Sequence, residues 1–262
     1  MTKVIDRIPY EACPLCSCRE LAKVLSVNCS LHPMYHPDLS PIIDWLRCAE
    51  CAHVFTSGYF PPEALALIFS RTMQHQQVLS SYDTERVVAA RIIDKVLPLA
   101  SEGPWLDIGF GNAALLLTAE EYGFEPVGVD LRPQSVADLT GVGVEAYCAD
   151  FTALEHDGRY SVISMADVLE HMPFPATALQ SVHRLLRPEG VLFVSMPSMN
   201  SHIWKELDRR GANPYWGEIE HFHNFTRERL FYLLQETGFT HPTYGISELY
   251  PACMEVLCRR AG

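Results

Sequence analysis

The sequence predicts an α/β chain, a mainly parallel sheet with crossover helices behind a small cysteine-rich module, and three features predict it. From Gly103 onward, short apolar runs alternate with helical periods, the pattern of strands joined by crossover helices. A strand-end acid followed by two glycines, Asp107-Ile108-Gly109-Phe110-Gly111, marks a strand–loop–helix turn that approaches a ligand. Ahead of it, Cys13-Pro14-Leu15-Cys16 and Cys48-Ala49-Glu50-Cys51 form two C-x-x-C pairs separated by 31 residues.

Residues 1–60 hold six of the nine cysteines and no long helical period. Two pairs of sulfurs at this spacing are what a tetrahedral zinc ion requires, so Cys13, Cys16, Cys48 and Cys51 are the expected metal ligands of a zinc-ribbon-like module. Cys18, Cys29, His32 and His36 are alternative ligands. A closed four-sulfur site leaves no position open for chemistry, so its expected role is structural. Nine is an odd number of cysteines, and Met1 to Arg7 lacks the apolar stretch of a signal peptide. The expectation is therefore metal rather than disulfides, in a cytoplasmic chain.

Residues 61–100 read as a helical connector. Pro61-Pro62 opens a short helix over Glu63 to Ser70, since proline fits a first turn whose N–H would be unpaired anyway. A second helix is expected from Tyr82 to Leu97, with Val87, Val88, Arg91, Ile92 and Val96 on one stripe. Residues 101–262 form the α/β domain. Its expected strands are Trp105 to Ile108, Val127 to Val129, Glu145 to Cys148, Tyr160 to Met165, Val191 to Ser195, Thr240 to Ile246 and Met254 to Cys258. Gly123, Arg132-Pro133 and Arg187-Pro188-Glu189-Gly190 supply the turns between them. Thr226 is the expected N-cap and Gly238 the stop of a late helix. Cys148, Cys253 and Cys258 fall in strands and are expected to be buried apolar groups.

The 262 residues are 48% apolar and 20% charged, with a formal charge of −12. That balance argues against a chain built to grip phosphate backbones, and no apolar run reaches membrane-spanning length.

The glycine loop alone is ambiguous. Asp130 follows Gly111 by nineteen residues, which also fits a dinucleotide fingerprint. Asp107 decides between the two: a carboxylate there would repel a diphosphate but welcome the ammonium and sulfonium of S-adenosylmethionine. Gly109 and Gly111 then let the backbone approach this cofactor. Asp130 would accept from the two ribose hydroxyls, and Asp150 from the adenine amino group, with Phe151 beside it.

The ordered segments Leu106 to Gly111, Gly128-Val129-Asp130, Cys148-Ala149-Asp150, Ala166-Asp167-Val168-Leu169-Glu170-His171 and Leu186 to Gly190 resemble the class I S-adenosylmethionine-dependent methyltransferases. The likeness covers about residues 80 to 260, and is nearest to a branch with ubiquinone-biosynthesis O-methyltransferases and zinc-containing sugar C-methyltransferases. It implies a Rossmann-like seven-stranded sheet and adds Leu131 and Asp167 to the cofactor contacts. Phe110 stands where a small or cysteine residue is usual, and Ala113 where a third glycine is common.

Methyl transfer is an in-line displacement that needs alignment and removal of a proton from the acceptor. His171, His221 and His223 are the candidate bases, in segments that the resemblance puts beside the acceptor pocket; Trp204 to Phe225 reads as a lid. The expected acceptor is a small molecule or glycan, methylated on O, N or C. Three rivals stay open: a zinc module that binds nucleic acid or protein beside a cofactor-sensing domain, an RNA methyltransferase, and a nicotinamide-dependent oxidoreductase.

Overall fold

A computed structural model describes residues 4–69 and 73–262. The N-terminal part contains β1 (Ile8–Pro9), β2 (Leu21–Asn28), β3 (Ile42–Cys48), β4 (Val54–Thr56) and β5 (Gly58–Tyr59), with β1 paired antiparallel to β5. Helix α1 (Pro62–Ile68) starts on a proline as expected; Ser70, its expected end, lies outside the described residues. Helix α2 (Tyr82–Val96) buries Ala89, Ile92, Ile93 and Val96. The expected stripe is therefore rotated, because Val87 is 54% exposed while Ile93 faces the sheet.

The α/β part follows the expected order: β6 (Gly103–Ile108), α3 (Ala114–Glu121), β7 (Phe124–Asp130), α4 (Pro133–Gly141), β8 (Glu145–Cys148), β9 (Tyr160–Ala166), α5 (Pro175–Leu185) and β10 (Leu186–Pro197). Then come α6 (His202–Arg209), the two-residue β11 (His223–Asn224), α7 (Arg227–Glu236), β12 (Phe239–Ile246) and β13 (Cys253–Arg260). Seven of these strands make one sheet in the order β12-β13-β10-β9-β6-β7-β8. Neighbours from β10 to β8 are parallel, whereas β13 runs antiparallel to both β10 and β12. All seven expected strands are present. The Arg187–Gly190 turn is absorbed into β10 as an irregularity, with Glu189 at a φ of 60°.

Strand alternation sends side chains to opposite faces, so β6 feeds two cores. Leu106 and Ile108 join the core under α5 and α7, while Trp105 joins the core under α2, α3 and α4. Thr226 caps α7, its hydroxyl accepting from the Arg229 N–H at 3.2 Å, and Gly238 follows that helix with a φ of 89°.

The N-terminal part and the α/β part share a second sheet. Its order is β11-β4-β3-β2, with His223 opposite Phe55 and Asn224 opposite Val54. Ile219 and Phe222 pack into the same core as Ile43, Trp45, Phe60 and Ile68. The Trp45 indole N–H donates to the Trp216 carbonyl at 2.9 Å. The segment between β10 and α7 is thus built partly out of the N-terminal module. Among the described residues, no helix is long and apolar enough to cross a membrane.

Candidate active site

The carboxyl ends of parallel strands are where an open α/β sheet leaves a crevice for ligands. After β6 the chain turns through Gly109 (φ 68°) and Gly111 (φ 53°), conformations that L side chains rarely adopt. A Cβ on Gly109 would lie 2.9 Å from Val168 Cγ2, whereas Gly111 faces open space. Ala113 takes the same left-handed conformation, φ 64°, at the mouth of α3. Phe110 turns away from the crevice into the core, against the gap left by Gly128, where a Cβ would lie 2.8 Å from its ring. That is how a bulky residue is tolerated in this loop. Asn112 anchors the turn by donating to the Ser80 carbonyl at 2.7 Å and to the Glu85 carboxylate at 2.6 Å.

Asp107 is buried beneath the loop and is held by a relay. The Trp105 indole N–H donates to Ser164 Oγ at 2.9 Å, and that hydroxyl donates to Asp107 Oδ1 at 2.5 Å. Burial, reinforced by the charge of Asp130, pushes the Asp107 carboxyl up to about 7. Asp130, at the end of β7, is engaged by the guanidinium of Arg132: Nε meets Oδ1 at 2.9 Å and Nη2 meets Oδ2 at 2.5 Å. Arg132 Nη1 also donates to Gln76 Oε1 at 2.8 Å. The acceptors expected for ribose hydroxyls are thus already paired, and sequence reading treated Arg132 only as a turn residue. Leu131 beside it is 52% exposed.

Asp150 caps the short turn Phe151–Ala153, its Oδ1 accepting from the Thr152 N–H at 2.9 Å and hydroxyl at 2.8 Å. Contrary to expectation, the Phe151 ring is not offered to a ligand; it is packed in the core with Leu106 and Val127. Asp167, just past β9, has a φ of 52° and donates its N–H to the Ser195 carbonyl at 2.8 Å. Burial, with Glu255 nearby, pushes its carboxyl up to about 7.

A cavity of about 420 Å³ opens at this edge, and Asp167, Glu170, His171, Glu220 and His221 line it. Glu170 is almost wholly buried, and among the described residues neither carboxyl oxygen has a hydrogen-bond partner, although His171 Nε2 lies 4.0 Å from Oε1. His171 Nε2 and His221 Nδ1 are likewise unpartnered, and the two rings meet edge to face with centroids 4.8 Å apart. Burial lowers the His171 imidazolium to about 4 and, together with His171 and His32, lowers His221 well below its ordinary value. Both rings are therefore neutral near pH 7. Burial, with the Asp167 charge, raises the Glu170 carboxyl well above the usual range.

His223 stands apart from the other two candidate bases. Its Nδ1 lies 3.0 Å from His53 Nε2 and its Nε2 lies 2.9 Å from the Met172 carbonyl, so both ring nitrogens are committed. It is fully buried in β11 and does not line the cavity; it belongs to the seam between the two sheets. His32, named from the sequence only as an alternative zinc ligand, lies in the cavity wall, and Gln76, which sequence reasoning missed, braces Arg132. Nothing in their local sequence marks either residue for these positions.

The four expected zinc ligands converge. Sγ of Cys13 lies 3.6 Å from that of Cys51, Sγ of Cys16 lies 3.5 Å from that of Cys48, and all four sulfurs fall within 4.8 Å. A zinc ion with bonds of about 2.3 Å sets tetrahedral sulfurs about 3.8 Å apart, so this donor set fits. The alternatives have other partners: Cys18, beside Cys48, accepts from the Glu20 N–H, Cys29 donates to the Pro41 carbonyl, His32 pairs with Glu218 and His36 with Asp38. Cys253 and Cys258 are buried as expected, but Cys148 is exposed at the end of β8.

Comparison with known proteins bears on this arrangement. A family model described as "Methyltransferase domain" matches residues 82–241. A ubiquinone biosynthesis O-methyltransferase from Pseudomonas aeruginosa is 34% identical over 103 residues, which cover 36% of this chain and 44% of that protein. One from Aeromonas salmonicida is 35% identical over 103 residues, covering 36% and 43%. The chain thus spans less than half the length of these curated relatives. Among solved structures, a protein from Pyrococcus horikoshii superposes with a TM-score of 0.58 at 16% identity, covering 73% of this chain and 98% of that one. An S-adenosylmethionine-dependent methyltransferase from Archaeoglobus fulgidus gives 0.56 at 16% identity, covering 69% and 96%. At such identities these two speak for the fold alone.

Proposed function

The chain belongs to the methyltransferase domain family, and from that premise we propose that it moves a methyl group from S-adenosylmethionine to a small molecule held beside His171 and His221. The observation that carries this reading is the meeting of two things at one sheet edge: an acid-tipped glycine loop, and a cavity whose walls hold unpartnered, neutral imidazoles. The cofactor fits the residues present. Gly111 leaves open space, and buried Asp107 lacks any cationic partner.

When bound, S-adenosylmethionine supplies a methyl group on a positively charged sulfur. Asp107 would receive its ammonium through charge, Asp130 and Leu131 would meet the ribose, and Asp150 and Asp167 would border the adenine and the methyl side. Asp130 reaches the hydroxyls by sharing the oxygens that Arg132 now occupies. His171 or His221 would then take the proton from the acceptor as its oxygen, nitrogen or carbon is methylated.

Cys13, Cys16, Cys48 and Cys51 would hold a structural zinc in a module spanning residues 1–60, joined by a connector at 61–100 to the catalytic domain at 101–262. The ubiquinone-pathway relatives favour a small acceptor, methylated on oxygen in their case. Turnover of His171→Ala and His221→Ala with S-adenosylmethionine, beside calorimetry against NAD, tests the reading. A large kcat loss in at least one variant is expected; wild-type turnover in both, or preferential binding of NAD, refutes it.

A further inference from the structure

Methyl transfer and the four-cysteine site leave one group of buried side chains unused. Glu170 is 1% exposed, and among the described residues neither carboxyl oxygen has a hydrogen-bond partner, with His171 Nε2 4.0 Å from Oε1. Glu220 is 9% exposed, and its Oε2 lacks one too. The nearest cationic or protonated groups are spent elsewhere. His32 Nδ1 accepts from the Met34 N–H, so Nε2 carries the proton, and it gives that proton to Glu218 Oε2 at 2.7 Å; Glu220 Oε2 lies 3.8 Å away. Arg7 donates to the carbonyls of Ile219 and Gly58. Among the described residues, no Lys or Arg lines the cavity. A buried carboxyl without a hydrogen-bond partner either keeps its proton or takes a cation, and among the described residues only two imidazoles come within 4.0 Å of these carboxyls, His32 at 3.8 Å from Glu220 and His171 at 4.0 Å from Glu170.

Glu170 and Glu220 line the cavity in which the acceptor must sit, and their oxygens, once ionised, accept hydrogen bonds. An ammonium carries three donors and a positive charge, so it answers them in number and in sign. A carboxylate- or phosphate-bearing acceptor would add like charge beside these two acids. We propose that the methyl acceptor of this chain bears an amino group, and that its ammonium is seated against Glu220 and Glu170. Glu218, already satisfied by His32, anchors the wall, so the N-terminal module helps to define acceptor charge. This inference rests on the methyltransferase reading and narrows its substrate class.

The test uses the full chain with S-adenosylhomocysteine bound and three probes of one ring and different charge: tyramine, 4-ethylphenol and 4-hydroxyphenylacetate. Calorimetry should show tyramine binding at least about ten-fold more tightly than 4-ethylphenol, and no binding of the carboxylate. Glu220→Gln and Glu170→Gln, read separately in case one fails to fold, should each bring tyramine down towards 4-ethylphenol. Three results overturn the proposal: equal or tighter binding of the neutral or anionic probe, no binding of tyramine to the loaded chain, or a second metal equivalent per chain that Glu220→Gln abolishes. Failure to bind S-adenosylhomocysteine at all would instead strike the underlying methyltransferase reading, and this inference with it.

Discussion

Ser164→Ala cuts the relay under the glycine loop. The wild-type hydroxyl accepts from Trp105 and donates to Asp107, and all three residues are buried. Without it, one indole N–H and one carboxylate lose a partner together. An orphaned neutral group costs about 1–3 kcal/mol, and a lost bond to a charged group about 1.5–3 kcal/mol. The penalty therefore depends on whether Asp107 is ionised. Folding raises this carboxyl from 3.8 to about 7, so the folded state keeps a proton that the unfolded state releases between those values. Stability is accordingly lost as pH rises through that window, by up to about 4 kcal/mol from this group. At pH 8 the substitution should remove about 3–5 kcal/mol, because the anion loses its donor. At pH 5.5 it should remove about 1–2 kcal/mol, because a neutral carboxyl needs that donor less. Urea denaturation at the two pH values measures both quantities. Calorimetry at pH 7.5 should show S-adenosylmethionine binding weakened about ten-fold. Equal losses of stability at the two pH values would refute the reasoning.

Three further perturbations follow from the same geometry. Ala113→Gly relieves a left-handed alanine whose conformation costs about 1–2 kcal/mol; less the extra freedom of an unfolded glycine, it should add about 0.5–1 kcal/mol in a denaturant titration. Arg132→Met strips the guanidinium bonds from buried Asp130 and leaves it only the backbone N–H of residue 132, which should cost about 3–5 kcal/mol; S-adenosylmethionine should then raise the melting temperature more than in the wild type, because ribose hydroxyls supply the missing donors. Cys48→Ser, or chelation, should release one zinc per chain by metal analysis, lower the melting temperature and raise KM for the acceptor more than it lowers kcat.

The α/β sheet was legible because each of its strands is a short apolar run closed by a turn residue, as in Trp105 to Ile108 and Val191 to Ser195. Such runs have few alternatives to burial. The N-terminal sheet was not legible for the opposite reason. Along Leu21–Asn28 most residues are exposed or half-exposed, so hydrophobicity gives little signal. The pairing of His223 with Phe55 joins residues far apart in the chain, and no local pattern encodes it. The same distance hid His32 from the cavity. At the glycine loop, residue type and spacing carried the reading, since Gly109 and Gly111 do take left-handed conformations. For His223, residue type misled: a histidine among carboxylates reads as a base until its two nitrogens are seen to be spent.

The pairing of β11, from the α/β part, with β4 of the N-terminal part also limits how this molecule can be divided. A version begun near residue 80 would strip the covering from Ile219, Phe222 and His223, leaving a greasy scar beside the pocket and a two-residue strand with nothing to pair against. Such a fragment would keep every residue proposed to meet the cofactor and still lose the part of the cavity wall that His32, Pro33 and Met34 supply. The cysteine-rich head is thus a scaffold against which the chamber is assembled, and swapping it between homologues would exchange that stretch of wall.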